Sequence, residues 1–261
     1  MLFARPLSGV EKLHYRDKFR AARYAALADG EGFAEVCFAI EAFGVRLLGS
    51  KGTLNDYRMP IRHCAALSVS YSGLHEDFPY LFRSFDALFR IVQTARNDAM
   101  HTGAYARHAT QAAIELCIYL EEALMTDVEQ SVGDLMVKNV VAVEAWHPIA
   151  QARQLMLTHS FSFLPVRLEN EWWLMSELGV ARYLAVSAAD KRRRLGQSIS
   201  EARASGLELM NVPADHLLRS EMRIHQVLAS NDNPGRPTLW LVVDAARPDQ
   251  LAGVLTPFEV M

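Results

Sequence analysis

The second half of the sequence contains one pattern of elements twice, and this repeat restricts the possible folds more than any other feature. Within 139–176, a β-branched run is followed by a helix-like segment and then by two strand-like runs that the polar residues ENE separate. Within 207–256, a weaker copy of the same succession follows at a spacing of about 75 residues. Self-similarity at a fixed period indicates an internal repeat, here of β-α-β-β-α units.

The first half of the sequence follows a different pattern, which is typical of helices. Apolar residues recur at steps of three and four within 31–49, 78–95 and 106–125. The segment 49–60, GSKGTLNDYRMP, is rich in Gly, Asn, Asp and Pro, so we predict a loop there. Its GSKGT lacks the spacing of a phosphate-binding loop.

The two patterns together predict a fold of class α + α/β with two domains. We expect an all-helical bundle over 1–125, followed over 126–261 by the pair of β-α-β-β-α repeats. Within the pair, the first copy covers about 131–187 and the second about 207–261, with a charged linker between them at about 188–206.

The net charge bears on possible nucleic-acid contact, and the sparse cysteines favour a protein of a reducing compartment. The net charge is −3, so any contact with nucleic acid needs a local basic patch. Cys37, Cys64 and Cys117 lie far apart without a CxxC spacing, which indicates neither a disulfide framework nor a metal site. The sequence contains neither a signal-like apolar segment nor a membrane-spanning apolar run, so we expect a cytoplasmic protein without a membrane partner.

The repeat contains a series of short motifs, which are VGDLM (132–136), VVAV (140–143), Ala152 with LM (155–156), FLPV (163–166), TLWLVVD (238–244) and LAGVLTPFEVM (251–261). Taken together, they resemble the motifs of the CBS domain family. The resemblance covers about half of the chain, and it implies that the two copies bind an adenosine compound such as AMP, ATP or S-adenosylmethionine in the cleft between them. The alternative is that the pair serves only as a dimerisation module.

The resemblance also implies which residues contact the nucleotide. The family motif is Gly, two further residues, Thr or Ser, two more residues and Asp. In the second copy it corresponds to Gly253, Thr256 and Glu259, where Glu retains a carboxylate for the ribose hydroxyls. In the first copy the same window begins with Trp173, has Ser176 in the middle and ends with Gly179. The first copy has therefore lost the ribose contact.

The departure from the motif places two bulky residues in the first copy. Trp172 and Trp173 are adjacent, and Trp173 stands where the family has glycine. We expect one of these indoles to occupy or wall the cleft. At most one adenosine site then remains, in the second copy.

A second motif, RNDAMH (96–101), lies just before the last predicted helix of the first half. An arginine, a polar residue and a histidine at this spacing in an all-helical domain resemble the HEPN family. The resemblance implies a metal-independent endoribonuclease whose composite site forms at a homodimer interface, with Arg96, Asn97 and His101 as its catalytic residues. A simple helix cap with surface ion pairing through Asp98 is the alternative.

Helix geometry restricts how the motif can work. Five residues of regular helix turn the chain by about 500°, so positions 96 and 101 point about 140° apart. Either the helix is interrupted near Gly103, or two protomers bring their motifs together. His101 has the chemistry of a general acid or base, Arg96 that of a phosphate clamp, and Asn97 that of an orienting group.

A basic run, DKRRRLGQ (190–197), lies between the two copies. Four consecutive cations are suited to phosphate groups of a nucleotide or RNA, although such a run is also typical of a solvated linker.

Two functions from different classes are consistent with these residues. The first is a nucleotide-regulated ribonuclease acting on RNA as a homodimer, for which DNA is not a substrate because the 2′-hydroxyl is required. The second is a non-catalytic regulatory or scaffold protein whose CBS pair binds an adenosine compound or only dimerises.

Overall fold

A computed structural model describes residues 6–102, 107–229, 238–247 and 249–261, except for the side chains at 70–72, 99–102 and 107. Within the chain, contacts separate two compact units, unit 1 over 1–129 and unit 2 over 130–261. Among the described helices, none is long and apolar enough to cross a membrane.

In the described part of unit 1, every regular element is a helix. A core of aromatic and aliphatic side chains packs between these helices and includes Phe19, Phe43 and Phe89. Glu121, which is buried, accepts hydrogen bonds from Arg23 at 2.8 and 3.1 Å, and thereby ties the last helix to the first. The α-helices are α1 Gly9–Ala28, α2 Phe33–Leu48, α3 Leu54–Ala65, α4 Val69–Asp77, α5 Phe85–Thr102 and α6 Arg107–Met125.

The predicted loop over 49–60 is wrong in its second half, because α3 begins at Leu54. Thr53 and Asp56 form a capping box, which satisfies the free N–H groups of the first turn. Pro60 lies inside the helix and costs it a backbone hydrogen bond. Burial of Tyr57 and Ile61 on the face next to the core compensates for this loss.

The helix predicted to begin at residue 78 begins seven residues later, at Phe85. Leu81 and Phe82 both donate backbone hydrogen bonds to the carbonyl of Phe78, which closes a turn instead. The Ser84 hydroxyl then accepts from the N–H of Ala87 at 3.3 Å and caps α5. The aromatic spacing of 78–95 continues through this turn, which is why the pattern alone did not show the break.

The elements of unit 2 are α7 Val132–Leu135, β1 Val143–Glu144, α8 Ile149–His159, β2 Phe163–Leu168, β3 Glu171–Ser176, α9 Glu177–Tyr183, α10 Ala188–Gly196, α11 Ile199–Ala204, β4 Leu209–Val212, β5 Leu218–Arg219, α12 Ile224–Ala229, β6 Trp240–Val243, β7 Leu251–Leu255 and α13 Pro257–Val260. The β-α-β-β-α succession occurs twice, first as β1-α8-β2-β3-α9 and then as β5-α12-β6-β7-α13. The predicted start of the second copy at about 207 is wrong, because β4 pairs with β3 of the first sheet and the second sheet begins with β5.

Each copy builds its own small sheet. The first sheet has the order β1-β2-β3-β4 and the second the order β5-β6-β7. In both sheets, the first strand runs parallel to the second, and the second runs antiparallel to the third. The predicted polar turn between β2 and β3 is formed by Glu169 and Asn170, whose φ angles of 53° and 63° match the two-residue turns of tight hairpins.

Each sheet is completed by a segment that precedes the other copy. Strand β4, which comes before the second copy, pairs with β3 of the first. In the same way Val137, which lies ahead of β1, exchanges backbone hydrogen bonds of 2.8 and 3.0 Å with Val254 of β7. This exchange brings the segment after α7 against the end of β7, and the candidate site lies there.

The charged linker predicted over 188–206 is largely helical, since α10 and α11 occupy most of it. Ser187 caps α10 through the N–H of Asp190 at 3.2 Å, and Ser198 with Glu201 forms a capping box for α11. These two polar caps within a charged segment explain why helices form where a charged linker was expected.

Candidate functional site

A cavity of about 340 Å³ lies between the two copies of unit 2. Its size is in the range of small-molecule sites, and most of its described walls are apolar. Side chains of both copies contribute to it. The lining residues are Val137, Asn139, Val140, Val141, Ser160, Phe161, Ser162, Phe163, Pro165, Leu239, Val254, Thr256 and Glu259.

The polar corner of the cavity is the start of α13. The backbone N–H of Thr256 donates to Oε2 of Glu259 at 2.9 Å, and the Thr256 hydroxyl forms a short hydrogen bond to the same oxygen. The Thr256 hydroxyl also accepts from the N–H of Phe258 at 3.2 Å. This capping box fixes a carboxylate and a hydroxyl side by side at the cavity wall.

Asn139 and Ser160 line the cavity from the other copy, and neither was predicted from the sequence. Both have left-handed backbone conformations, with φ of 59° for Asn139 and 55° for Ser160. Ser160 ends α8, while Asn139 turns the chain after the contact with β7. Asn tolerates this conformation better than most residues, which is the one local signal that marked position 139 in the sequence.

Of the residues predicted to contact the nucleotide, Thr256 and Glu259 line the cavity, whereas Gly253 and Ser176 do not. Gly253 has a different role. A Cβ at this position would lie 2.6 Å from Sδ and 3.0 Å from Cβ of Met136, so the glycine lets the Met136 side chain pack closely against β7. Ser176 caps α9 by accepting from the N–H of Gly179 at 3.0 Å.

The corresponding position of the first copy, Gly179, offers no carboxylate. At Gly179 a Cβ would meet Oγ of Ser176 at 3.1 Å and the carbonyl oxygen of Glu208 at 3.2 Å. Residues 230–237, which follow α12 in the second copy, lie outside the described residues.

Neither tryptophan that was expected to wall the cleft lines the described cavity. Trp172 is buried in a cluster with Leu174 and Leu241, between the two sheets. Trp173 packs on the core of the first copy, and the guanidinium of Arg203 lies 4.0 Å from the centre of its ring. The indoles therefore stabilise the pair of copies rather than fill this site.

In unit 1, the residues of the Arg–His motif lie on one uninterrupted helix. Helix α5 runs from Phe85 to Thr102, so the backbone does not break between positions 96 and 101. The side chain of His101 and all of Gly103 lie outside the described residues. Asn97 is exposed, and Arg96 is 37% exposed.

Arg96 is held by an acidic partner from α2. Its Nη2 lies 2.9 Å from Oε1 of Glu41, and the Glu41 side chain is itself 33% exposed. Burial, together with the nearby charge of Glu41, raises the pKa of the Cys37 thiol to about 12 in spite of the opposing effect of Arg96. Cys37 is therefore a protonated core residue rather than a nucleophile.

In the part of the chain that the structure describes, no three or more His, Cys, Asp or Glu side chains are arranged to hold a metal ion.

No protein-family model matches the chain, and no curated protein matches it. Over about half its length, its C-terminal half, the chain is similar to solved structures of CBS domain proteins.

Three of these structures illustrate the similarity. CBSX2 in complex with AMP is 18% identical, with 50% of this chain and 92% of that chain covered and a TM-score of 0.37. The acetoin utilization protein AcuB from Vibrio cholerae is 13% identical, with coverages of 51% and 88% and a TM-score of 0.38. The CBS domain pair of protein MJ0100, in complex with 5'-methylthioadenosine and S-adenosyl-L-methionine, is 18% identical, with coverages of 51% and 93% and a TM-score of 0.37.

Proposed function

We propose that unit 2 is a CBS domain pair that senses an adenosine compound and regulates the helical unit. The single observation that carries this proposal is the position of Glu259 and Thr256 at the wall of a cavity whose other walls are mostly apolar. An apolar slot with a few convergent polar groups suits a ligand with a flat base and a polar sugar.

The sugar is the part that Glu259 would recognise. A carboxylate has about four lone-pair sites on its two oxygens, so Glu259 can accept further hydrogen bonds in addition to those of Thr256. Two neighbouring ribose hydroxyls are suitable donors, and such charge-assisted bonds are stronger than neutral ones. The base would then lie against side chains such as Val141, Phe161 and Val254.

AMP, ATP and S-adenosylmethionine share the adenosine group and are the candidate ligands. We infer one site per chain, in the second copy, since the first copy has Gly179 where the second has the carboxylate of Glu259. We further propose that the protein acts as a homodimer, with a helical domain over 1–125 as the regulated part and the CBS pair over 126–261 as the sensor.

Calorimetry on the full chain tests the proposal with each candidate ligand in turn. Glu259→Ala removes the carboxylate, but it also removes a helix cap. Glu201→Ala is the matched control, because Ser198 and Glu201 form the same capping box on α11 and do not line the cavity. We expect at least one ligand to bind the wild type and Glu201→Ala alike, and to bind Glu259→Ala at least tenfold more weakly.

Two results would contradict the sensing function. One is the absence of binding heat with all three ligands, which leaves dimerisation as the role of unit 2. The other is equal weakening by both substitutions, which assigns Glu259 to helix capping alone.

A second candidate function, RNA cleavage by unit 1, has one observation in its favour. Arg96 and Asn97 are at least partly exposed on the same continuous helix that carries His101. Because a regular helix separates positions 96 and 101 by about 140°, we infer a site that two protomers build together. In that site Arg96 would bind the phosphate, and His101 would act as general acid or base on the proton of the 2′-hydroxyl. Asn97 would orient His101.

The ribonuclease proposal is tested by incubating RNA with the wild type and with His101→Ala, without metal and with or without adenine nucleotides. We expect cleavage by the wild type alone, with cyclic phosphate ends and with a rate that the nucleotide changes. Equal background in every lane would exclude catalysis and leave the sensing function intact.

A further inference from the structure

An exposed aromatic pair lies beside the basic helix α10 on the surface of unit 2. Trp146 is 70% exposed, and its ring stacks on that of His147 with 3.9 Å between the centroids and 24° between the planes. We define the Trp146 surface as Trp146 with Lys191, Arg192 and Arg193, which are all exposed.

Backbone hydrogen bonds fix the tryptophan loop next to the end of α10. The N–H of Ile199 donates to the carbonyl of His147 at 2.9 Å, and the N–H of Ile149 donates to the carbonyl of Gln197 at 2.9 Å. Gln197 directly follows α10. The C-terminal end of α10 therefore adjoins the tryptophan loop.

The ring of His147 is also held in place. Its Nδ1 accepts a hydrogen bond from the backbone N–H of Glu144 at 2.8 Å. Because His147 supports one face of the Trp146 indole, the exposed part of the indole is presented in a fixed orientation. A rigid aromatic side chain loses little entropy when a flat partner stacks on it.

Helix α10 is anchored by one of its basic residues, while the others face solvent. Arg194 donates to the carbonyl of Tyr183, and its guanidinium lies 4.7 Å from the centre of the Tyr183 ring. Arg193 has an ion pair of 3.0 Å with Asp190, but both side chains are half exposed or more, so this pair exchanges easily with another anion. Three cations are thus available on an ordered helix.

The partner that this combination fits is a strand of nucleic acid. An exposed indole can stack on a base, and the cations of α10 can neutralise phosphates of the same strand. A lipid surface fits less well, because the exposed positions of α10 hold Ala, Gly and basic residues and no large apolar side chain to insert. The chain as a whole has a net charge of −3, so the attraction is local.

We propose that the Trp146 surface binds single-stranded nucleic acid. This site is separate from the adenosine cavity, since none of its residues lines that cavity. It is also separate from the Arg96 motif, which belongs to unit 1.

Fluorescence anisotropy of the full chain with a labelled uridine oligonucleotide of roughly 20 residues tests the proposal, since single-strand sites take about 4–16 nucleotides. Trp146→Ala removes the stacking platform, and Lys191→Ala with Arg192→Ala removes two cations. Tyr80→Ala and Arg247→Ala are the matched controls, because both side chains are exposed and lie elsewhere in the chain.

We expect Trp146→Ala to weaken binding about fivefold or more, as for the loss of one stacked base. Each phosphate contact contributes about −0.7 to the slope of log binding constant against log salt concentration. For the wild type, a threefold rise in salt should therefore weaken binding about tenfold. The double substitution should make this slope less steep. The controls should bind as the wild type does. A deoxythymidine oligonucleotide, which cannot be cleaved through a 2′-hydroxyl, shows whether the ribose 2′-hydroxyl contributes to binding.

Three results would overturn the proposal. The first is no binding of either oligonucleotide even at low salt. The second is binding that Trp146→Ala and the double substitution leave unchanged, which would place any RNA contact away from this surface. The third is binding to vesicles of phosphatidylcholine and phosphatidylserine in the absence of binding to either oligonucleotide.

Discussion

The N–H of Thr256 and the carboxylate of Glu259 are joined by a hydrogen bond of 2.9 Å at the wall of the cavity in unit 2. The same arrangement occurs at Ser198 and Glu201, where the N–H donates to the carboxylate at 2.8 Å. Only the first pair lines the cavity. One carboxylate thus holds the start of a helix and is also in position to contact a ligand.

Replacing Gly253 by alanine should destabilise unit 2 and weaken ligand binding. The new Cβ would lie 2.6 Å from Sδ of Met136. Overpacking of this kind typically costs about 1–3 kcal/mol, and relief of the contact would move the segment that carries Asn139 and Val141. Thermal unfolding together with calorimetry of the best ligand measures both effects.

Two further variants make this prediction specific. Gly196→Ala should have little effect, because a Cβ there meets no atom within 4 Å. Adding Met136→Ala to Gly253→Ala should recover part of the loss, since Sδ and Cγ are removed. Equal stability of Gly253→Ala and Gly196→Ala would show that close approach of Met136 is not required.

Removing the acidic partner of Arg96 should increase any activity of unit 1 on RNA. In the folded chain, Oε1 of Glu41 lies 2.9 Å from the Arg96 guanidinium and would compete with a phosphate. We expect Glu41→Gln to raise RNA cleavage or binding about two- to fivefold, since partly exposed ion pairs are worth about 1 kcal/mol or less. Arg96→Ala should abolish the activity.

Glu35→Gln is the control for the loss of one negative charge, because Glu35 is exposed on the same helix α2. Activity that rises equally in Glu35→Gln and Glu41→Gln would reflect net charge. Activity that survives in Arg96→Ala would show that Arg96 is not part of the RNA site.

The stabilising effect of Glu11 should be lost in acid. Hydrogen bonds from the Arg46 side chain, and then from the backbone of Ser8, lower the pKa of the Glu11 carboxyl from 4.5 to about 2. A lowered carboxyl pKa contributes stability that is fully present above pH 4.5 and that falls as the pH drops toward about 2.

The Tm of Glu11→Gln should therefore lie below that of the wild type at neutral pH, and the difference in Tm should shrink as the pH falls from 4.5 toward about 2. A difference in Tm that does not change with pH would contradict the assignment.

Several elements of unit 2 were predictable because they have a local signal. The polar residues between β2 and β3 predicted a turn, and Glu169 with Asn170 forms it. The helical segment over 147–160 was also confirmed, with α8 beginning after Pro148. Thr256 and Glu259 were found as a pair because the spacing of a known motif connects them.

Other features depend on packing that no local pattern records. Helix α3 passes through Pro60 because buried side chains compensate for the lost hydrogen bond. Phe161 and Leu239 face the same cavity although 78 positions separate them in the sequence. The pairing of Arg96 with Glu41 joins two helices whose contact the sequence does not specify.

The most direct test of the central proposal compares AMP with its 2′,3′-dideoxy analogue on the wild type, Glu259→Ala and Glu201→Ala. If Glu259 accepts hydrogen bonds from the ribose, the wild type and Glu201→Ala should prefer AMP by about tenfold or more, as charged hydrogen bonds are worth about 1.5–3 kcal/mol. Glu259→Ala should bind both compounds equally. A wild type that does not distinguish the two compounds, or a preference that survives in Glu259→Ala, would contradict a ribose contact at this carboxylate.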